Sequence, residues 1–390
     1  MQMNKRGIKM IYLDNSATTK PDDDVLKAFY TASKQFFANP SSIHKAGGQV
    51  ETLMQKAKEQ IAKLLNIKTE SIIFTSGGTE SNNLAIKGVA YRYKNRGNHI
   101  ITSSIEHPSV HEVCRQLEED GFRITYLSVN ENGQIDLNEL KESISDETIL
   151  VTLMHVNNEI GSVQPIEEIA QILTHYPKVF FHVDDVQGFG KIPLDYSMAG
   201  LDLVTISGHK IHGLKGTGCL IKKEHVHLKP LMFGGSQEFS IRPGTENVAG
   251  AVSLAKSIRL SVERQANYDR LKKYKEKIFD ALKSNPFIHI NSPKNGAHHI
   301  VNFSVKGFKP EVLIHALGEK DIYVSTKSAC SSKINEPSHV LMACFQDEAI
   351  ATSALRVSMS IDQSEEDIQV FLTEIDHIIK KYEHIMGSSQ

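Results

Sequence analysis

Between residues 71 and 223, short apolar runs alternate with amphipathic stretches, and no other feature limits the possible folds as strongly. The runs 71–75, 99–103, 123–129, 148–156, 179–184, 203–207 and 218–221 are strand-length and β-branched or mixed apolar. Stretches such as 81–93, 107–119 and 166–175 carry apolar residues at three- and four-residue spacing, as helices buried on one face do. Strands alternating with helices need crossover connections. The expected fold is therefore α/β, with a mostly parallel seven-stranded sheet covered on both faces. Ligands of such sheets lie beyond the carboxyl ends of the strands, so the polar residues just after each run are the ones to read.

A charged helical stretch, 248–283, leads away from this region to shorter strand patterns at 299–305, 322–325 and 355–360. Helical patterns at 310–318 and 365–382 accompany them. With 390 residues the chain is long for one core. Residues 25–255 are expected to form a large domain, and 1–24 with 256–390 a smaller α/β domain. Lysine and arginine number 44 against 46 acidic residues, a net charge of -2 that gives no reason to expect nucleic acid or a membrane surface as partner. No apolar run approaches the about 20 residues of a membrane helix. The four cysteines form no C-x-x-C pair, which fits reduced thiols in a cytoplasmic protein, and no metal site is expected. Residues 1–10 are basic (Lys5, Arg6, Lys9) but lack the apolar stretch of a secretory signal, and Met10 is a second possible start.

Three strand ends carry polar groups of note. Thr75-Ser76-Gly77-Gly78-Thr79-Glu80 opens directly into a helix. Paired glycines let backbone amides approach an anion, and the helix N-terminus adds partial positive charge, so a phosphate is the natural occupant. Glycine followed by a threonine cap also begins many helices that bind nothing. The run 179–184 ends in Asp184-Asp185-Val186-Gln187. A carboxylate there either keeps a pyridinium nitrogen protonated or caps the next turn. The run 203–207 passes into Gly208-His209-Lys210. A lysine in such a crevice loses solvation of its ammonium form and becomes a usable amine nucleophile. Lys215, in a glycine-rich turn, competes for that role but is expected to be exposed. Acid, amine and phosphate loop together suit pyridoxal 5'-phosphate held covalently on Lys210.

From Tyr12-Leu13-Asp14-Asn15-Ser16-Ala17-Thr18-Thr19 to Leu355-Arg356-Val357-Ser358 the chain resembles the cysteine desulfurases, which have the class V aminotransferase version of the type I fold of pyridoxal-phosphate enzymes. The resemblance implies that Lys210 bonds the cofactor, Asp184 pairs with its ring nitrogen and Gln187 with its ring hydroxyl. It assigns Gly78, Thr79, Ser207 and His209 to the phosphate. His107, in Glu106-His107-Pro108, would stack on the ring, and Asn158 would face cofactor and substrate. Arg356 would clamp the substrate carboxylate through two parallel hydrogen bonds. Thr245, in Arg242-Pro243-Gly244-Thr245, would reach the phosphate of a neighbouring subunit, which implies a homodimer. Read alone, His107 is a helix-start histidine, Arg356 a surface charge and Thr245 a turn cap.

Cys114, Cys219 and Cys344 lie in apolar helix or strand patterns and read as buried, inert thiols. Cys330 stands in the polar stretch Lys327-Ser328-Ala329-Cys330-Ser331-Ser332-Lys333, where flanking lysines favour the thiolate. The family's catalytic cysteine occupies a Ser-Ala-Cys motif of this kind, before Glu336-Pro337-Ser338. The implied reaction converts L-cysteine to L-alanine. Lys210 moves the α-proton, Cys330 takes the sulfur as a persulfide, and an acceptor protein collects it for iron–sulfur assembly or tRNA thiolation. An aminotransferase or a selenocysteine lyase of the same fold is the nearest alternative. A silent scaffold is the alternative from another class. Two positions depart from the family pattern: Asp185 replaces a small residue and Ser360 a glycine. The segment Asn39-Pro40-Ser41-Ser42-Ile43-His44 is closer to desulfurases of sporulating and related Gram-positive bacteria.

Overall fold

The computed structural model describes residues 9–326 and 336–387, with the side chains of 382–387 excepted. Among the described residues the strands are β1 (Ile11–Tyr12), β2 (Ile72–Thr75), β3 (His99–Ser103), β4 (Arg123–Leu127), β5 (Thr148–Met154) and β6 (Phe180–Asp184). They continue with β7 (Leu203–Ser207), β8 (Gly218–Lys222), β9 (Ile288–Ile290), β10 (Ile300–Val305), β11 (Ile322–Tyr323) and β12 (Ala354–Ser358).

A seven-stranded sheet runs in the order β2-β8-β7-β6-β5-β3-β4. Its neighbours are parallel except where β8 meets β2 and β7. The segment between β7 and β8 is too short for a crossover helix, so β8 can only return antiparallel. Successive residues of the central strands face opposite ways, and each face has its own core. Ile101, Val151 and Phe181 pack with Ile61, Leu65 and Ile258. Ile100, Leu150 and Phe180 pack with Leu84, Val89 and Leu117 on the other side.

A second set of elements gathers around Leu13, Leu271, Phe303, Leu355 and Phe371. Here β9, β10 and β12 form an antiparallel sheet, and β1 pairs with β11 in parallel. The stretch 248–283 is not one helix. Val248–Arg264 and Leu271–Lys283 are separated by a tight turn, Gln265–Arg270. Within this more tightly wound segment the Tyr268 ring packs into the second core. The expected strand 123–129 stops at Leu127, because Val129 turns to pair with Ile135. Helices Asp23–Gln35 and Lys45–Leu65, not read from the sequence, lie against Val248–Arg264.

Candidate active site

The carboxyl ends of β2, β3, β5, β6 and β7 converge on one cleft, which Arg356 of β12 also lines. Gly78, Thr79, His107, Asn158, Asp184, Gln187, Ser207, His209, Lys210 and Arg356 all line it. So do Asn82 and Ser109, which the sequence reading missed. Both sit inside helices, where a polar residue ordinarily marks the solvent face; only packing reveals that these two are buried. Thr245 is exposed and does not line the cleft, and Cys330 lies outside the described residues.

The helix Gly78–Tyr93 starts at the rim. Gly77 has φ +147, and a Cβ on the neighbouring Gly218 would stand 2.6 Å from its Cα, so the backbone passes where no side chain fits. Ser207 Oγ lies beside this turn, buried and without a hydrogen-bond partner among the described residues. His209 approaches Thr18 Oγ1 through Nδ1 at 3.3 Å, and burial first, then Lys210, lowers its pKa to about 4. Lys210 ends the short turn after β7. Its ammonium donates to the carbonyls of Ser16 and, at 2.8 Å, Ala17, while Lys215 is exposed.

Asp184 closes β6. Its Oδ1 accepts the Val186 amide at 3.0 Å and its Oδ2 accepts Asn82 Nδ2 at 2.7 Å. Burial nevertheless pushes its pKa up. Gln187 donates to the Ser16 carbonyl at 2.9 Å, and its Oε1 is buried with no partner among the described residues. Asp185 points elsewhere: it meets His155 Nδ1 and the Tyr196 hydroxyl, each at 2.7 Å, in a wholly buried cluster.

His107 caps the helix Pro108–Glu119, as a helix-start histidine does, and it also lines the cleft. Burial, with Lys210 and His339 nearby, lowers its pKa to about 4, so the ring is neutral at physiological pH. Arg356 is not a surface charge but 1% exposed. It donates through one amino group to the Asn158 carbonyl and through the other to Asp14 Oδ1, both at 2.9 Å. Its Nε is buried without a partner among the described residues. The described cysteines are buried, and burial pushes the thiols of Cys219 and Cys344 up to about 12 and that of Cys114 higher still.

The chain is 43% identical over 96% of its length to a protein of Lactobacillus delbrueckii subsp. bulgaricus described as a NifS/IcsS protein homolog, and covers 99% of it. It is 41% identical to the cysteine desulfurase IscS of Dictyoglomus turgidum, with 97% of each chain covered. A solved NifS-like protein superposes with a TM-score of 0.90 at 34% identity, over 95% of this chain and all of its own. A structure described as SspA in complex with cysteine superposes with a TM-score of 0.78, also at 34% identity, over 89% of this chain and 98% of its own. The class-V aminotransferase model matches residues 11–371, and the chain belongs to that family.

Proposed function

We infer that this chain is a pyridoxal-phosphate-dependent cysteine desulfurase, which converts L-cysteine to L-alanine and passes the sulfur through an enzyme persulfide to an acceptor protein. One observation carries the reading: an amine (Lys210), a buried carboxylate (Asp184) and a buried guanidinium (Arg356) face one cleft. The cleft suits the cofactor. Ser207 Oγ, Gln187 Oε1 and Asn82 Oδ1 are buried there with no partner among the described residues. Each such atom costs roughly 1–3 kcal/mol unless a ligand satisfies it.

Gly78, Thr79, Ser207 and His209 would hold the phosphate, Asp184 the ring nitrogen, Gln187 the ring hydroxyl, and His107 the ring face. The cofactor supplies an electron sink for the substrate's α-carbon. Lys210 bonds it and, once freed, moves the α-proton. Arg356, steadied by Asp14 and the Asn158 carbonyl, binds the substrate carboxylate. The buried thiols of Cys114, Cys219 and Cys344 are too weakly acidic to act as thiolates, which supports Cys330 as sulfur acceptor. Its thiolate attacks the substrate sulfur; the carbon–sulfur bond breaks, a sulfur–sulfur bond forms, and the carbon skeleton leaves as alanine after gaining the proton.

The same proposal includes a cytoplasmic homodimer in which Thr245 serves the partner's site, and an acceptor for iron–sulfur assembly or tRNA thiolation. It divides the chain into domains 25–255 and 1–24 with 256–390; two distinct cores support a two-part chain, with Ile258, just past that boundary, still in the first core. Among the described residues no helix is long and apolar enough to cross a membrane.

The test is incubation of the purified, cofactor-loaded protein with L-cysteine and a thiol reductant. Equimolar alanine and sulfide are expected, with borohydride fixing the cofactor on Lys210. Cys330→Ala should stop sulfide release and leave the cofactor's visible band in place. Amino-group transfer to pyruvate without sulfide would identify an aminotransferase instead.

A further inference from the structure

His107 has a determined tautomer. The Ser109 amide donates to its Nδ1 at 3.1 Å, and a backbone N–H can only donate. Nδ1 therefore carries no proton, and the neutral ring holds its single hydrogen on Nε2. Ser109 Oγ lies 2.8 Å from the same Nδ1, so the hydroxyl must donate to it and keeps its lone pairs for a donor of its own. That donor is Asn82 Nδ2 at 2.8 Å. The second hydrogen of the same amide nitrogen reaches Asp184 Oδ2 at 2.7 Å. Turning the amide over would set its oxygen against the carboxylate, so the direction of every bond in the chain is fixed. Asn82 is 0% exposed and Ser109 8%, which leaves little water to replace either bond.

We propose that Asn82 is a positioning residue that, through Ser109, ties Asp184 and His107 into one hydrogen-bonded unit and so holds the two groups flanking the cofactor ring in register. The inference rests on the cofactor reading above and adds to it a residue that acts through Asp184 and His107. In this arrangement His107 offers the cleft only an Nε2–H. A carboxylate freed from Asn82 would turn in its crevice, and the Ser109 hydroxyl would be free to rotate off Nδ1.

The test uses cofactor-loaded wild type, Asn82→Ala, Ser109→Ala, Ser109→Thr and the double alanine variant. Two quantities are read: the pH titration of the cofactor's visible band without substrate, and kcat and KM for L-cysteine. Asn82→Ala should shift the titration and lower kcat on the order of 10- to 100-fold, as loss of supporting contacts commonly does, with KM little changed. Ser109→Ala should lower kcat and alter its pH profile while sparing the band, and Ser109→Thr, which keeps the hydroxyl, should behave as wild type. Residues acting in series are non-additive, so the double variant should be no worse than Asn82→Ala. Multiplying effects, or an unmoved band in Asn82→Ala, would overturn the proposal. If Asn82→Ala does not fold, equal kcat profiles for Ser109→Ala and Ser109→Thr overturn it just as well. A wild type that forms no alanine defeats the desulfurase reading alone, because the band titration needs no substrate.

Discussion

Asp185 and Gly188 depend on each other. A Cβ at Gly188 would come within 2.2 Å of Asp185 Oδ1 and 2.4 Å of His155 Nδ1, so the absent side chain is what lets the buried cluster close. Gly188→Ala should therefore destabilise the fold by about 1–3 kcal/mol, the usual cost of overpacking, read as a lower urea midpoint at unchanged slope. A midpoint equal to wild type would mean the cluster yields freely. Arg356 makes a sharper case for chemistry. A lysine there cannot hold the Asn158 carbonyl and Asp14 while still presenting a fork to a carboxylate. Arg356→Lys should raise KM for L-cysteine on the order of tenfold or more, about 1.4 kcal/mol per factor of ten. The cofactor band should stay where it is; a band lost along with affinity would make the arginine structural. At this scale the sequence disclosed residue types but not directions. Asp184 and Asp185 are adjacent in the chain and alike in chemistry, and only the course of the strand sends one to the cleft and the other behind it.

Two histidines stitch neighbouring strands of the large sheet together. His99 on β3 meets Thr125 of β4 at 2.9 Å and Thr148 of β5 at 2.7 Å. His182 on β6 meets Thr152 of β5 at 2.8 Å and Thr205 of β7 at 3.0 Å. Burial lowers the pKa of His99 to about 4 and of His182 to about 3. Unfolding restores ordinary imidazoles near 6.5, so in the interval below that value the unfolded chain binds more protons than the native one. The stability these rings contribute is complete above about pH 6.5 and is lost as the pH falls towards 4 and below. His107 and His209, lowered to about 4, act in the same sense, whereas Glu106, raised to about 8 by burial, and Asp184, also raised, act in the opposite one. Urea midpoints should fall on acidification from pH 6.5 to 4, and His182→Gln should flatten that slope; an unchanged slope would put the acid sensitivity elsewhere. The strands were legible because their alternation is a property of neighbouring residues. The break at Gln265–Arg270 was not, since it answers to the core that receives Tyr268.

Over the whole molecule the cleft is built from both groups of elements, because Arg356 reaches across from β12 to Asn158 behind β5. Several exposed side chains also need an explanation: Phe37 and Phe233 are 84% and 82% exposed, and Lys58 Nζ stands over the ring of the exposed Phe239. Such side chains are costly to leave in water, and a second copy of the chain would cover them. Light scattering should give twice the chain mass of 43.5 kDa, and Phe37→Glu with Phe233→Glu should shift it towards the monomer with loss of activity. A wild type at the single-chain mass would dispose of the homodimer and of any role for Thr245 in a partner's site. The alternating runs, the lysine after β7, the acid at the end of β6 and the glycine pair after β2 were all determined by the sequence itself, because each is a local pattern: spacing sets the element, and the element's end sets the position. What only the tertiary structure decided was which polar groups share the cleft. Asn82, Ser109 and the burial of Arg356 follow from the packing of segments far apart in the chain, and local spacing carries no information about contacts of that range.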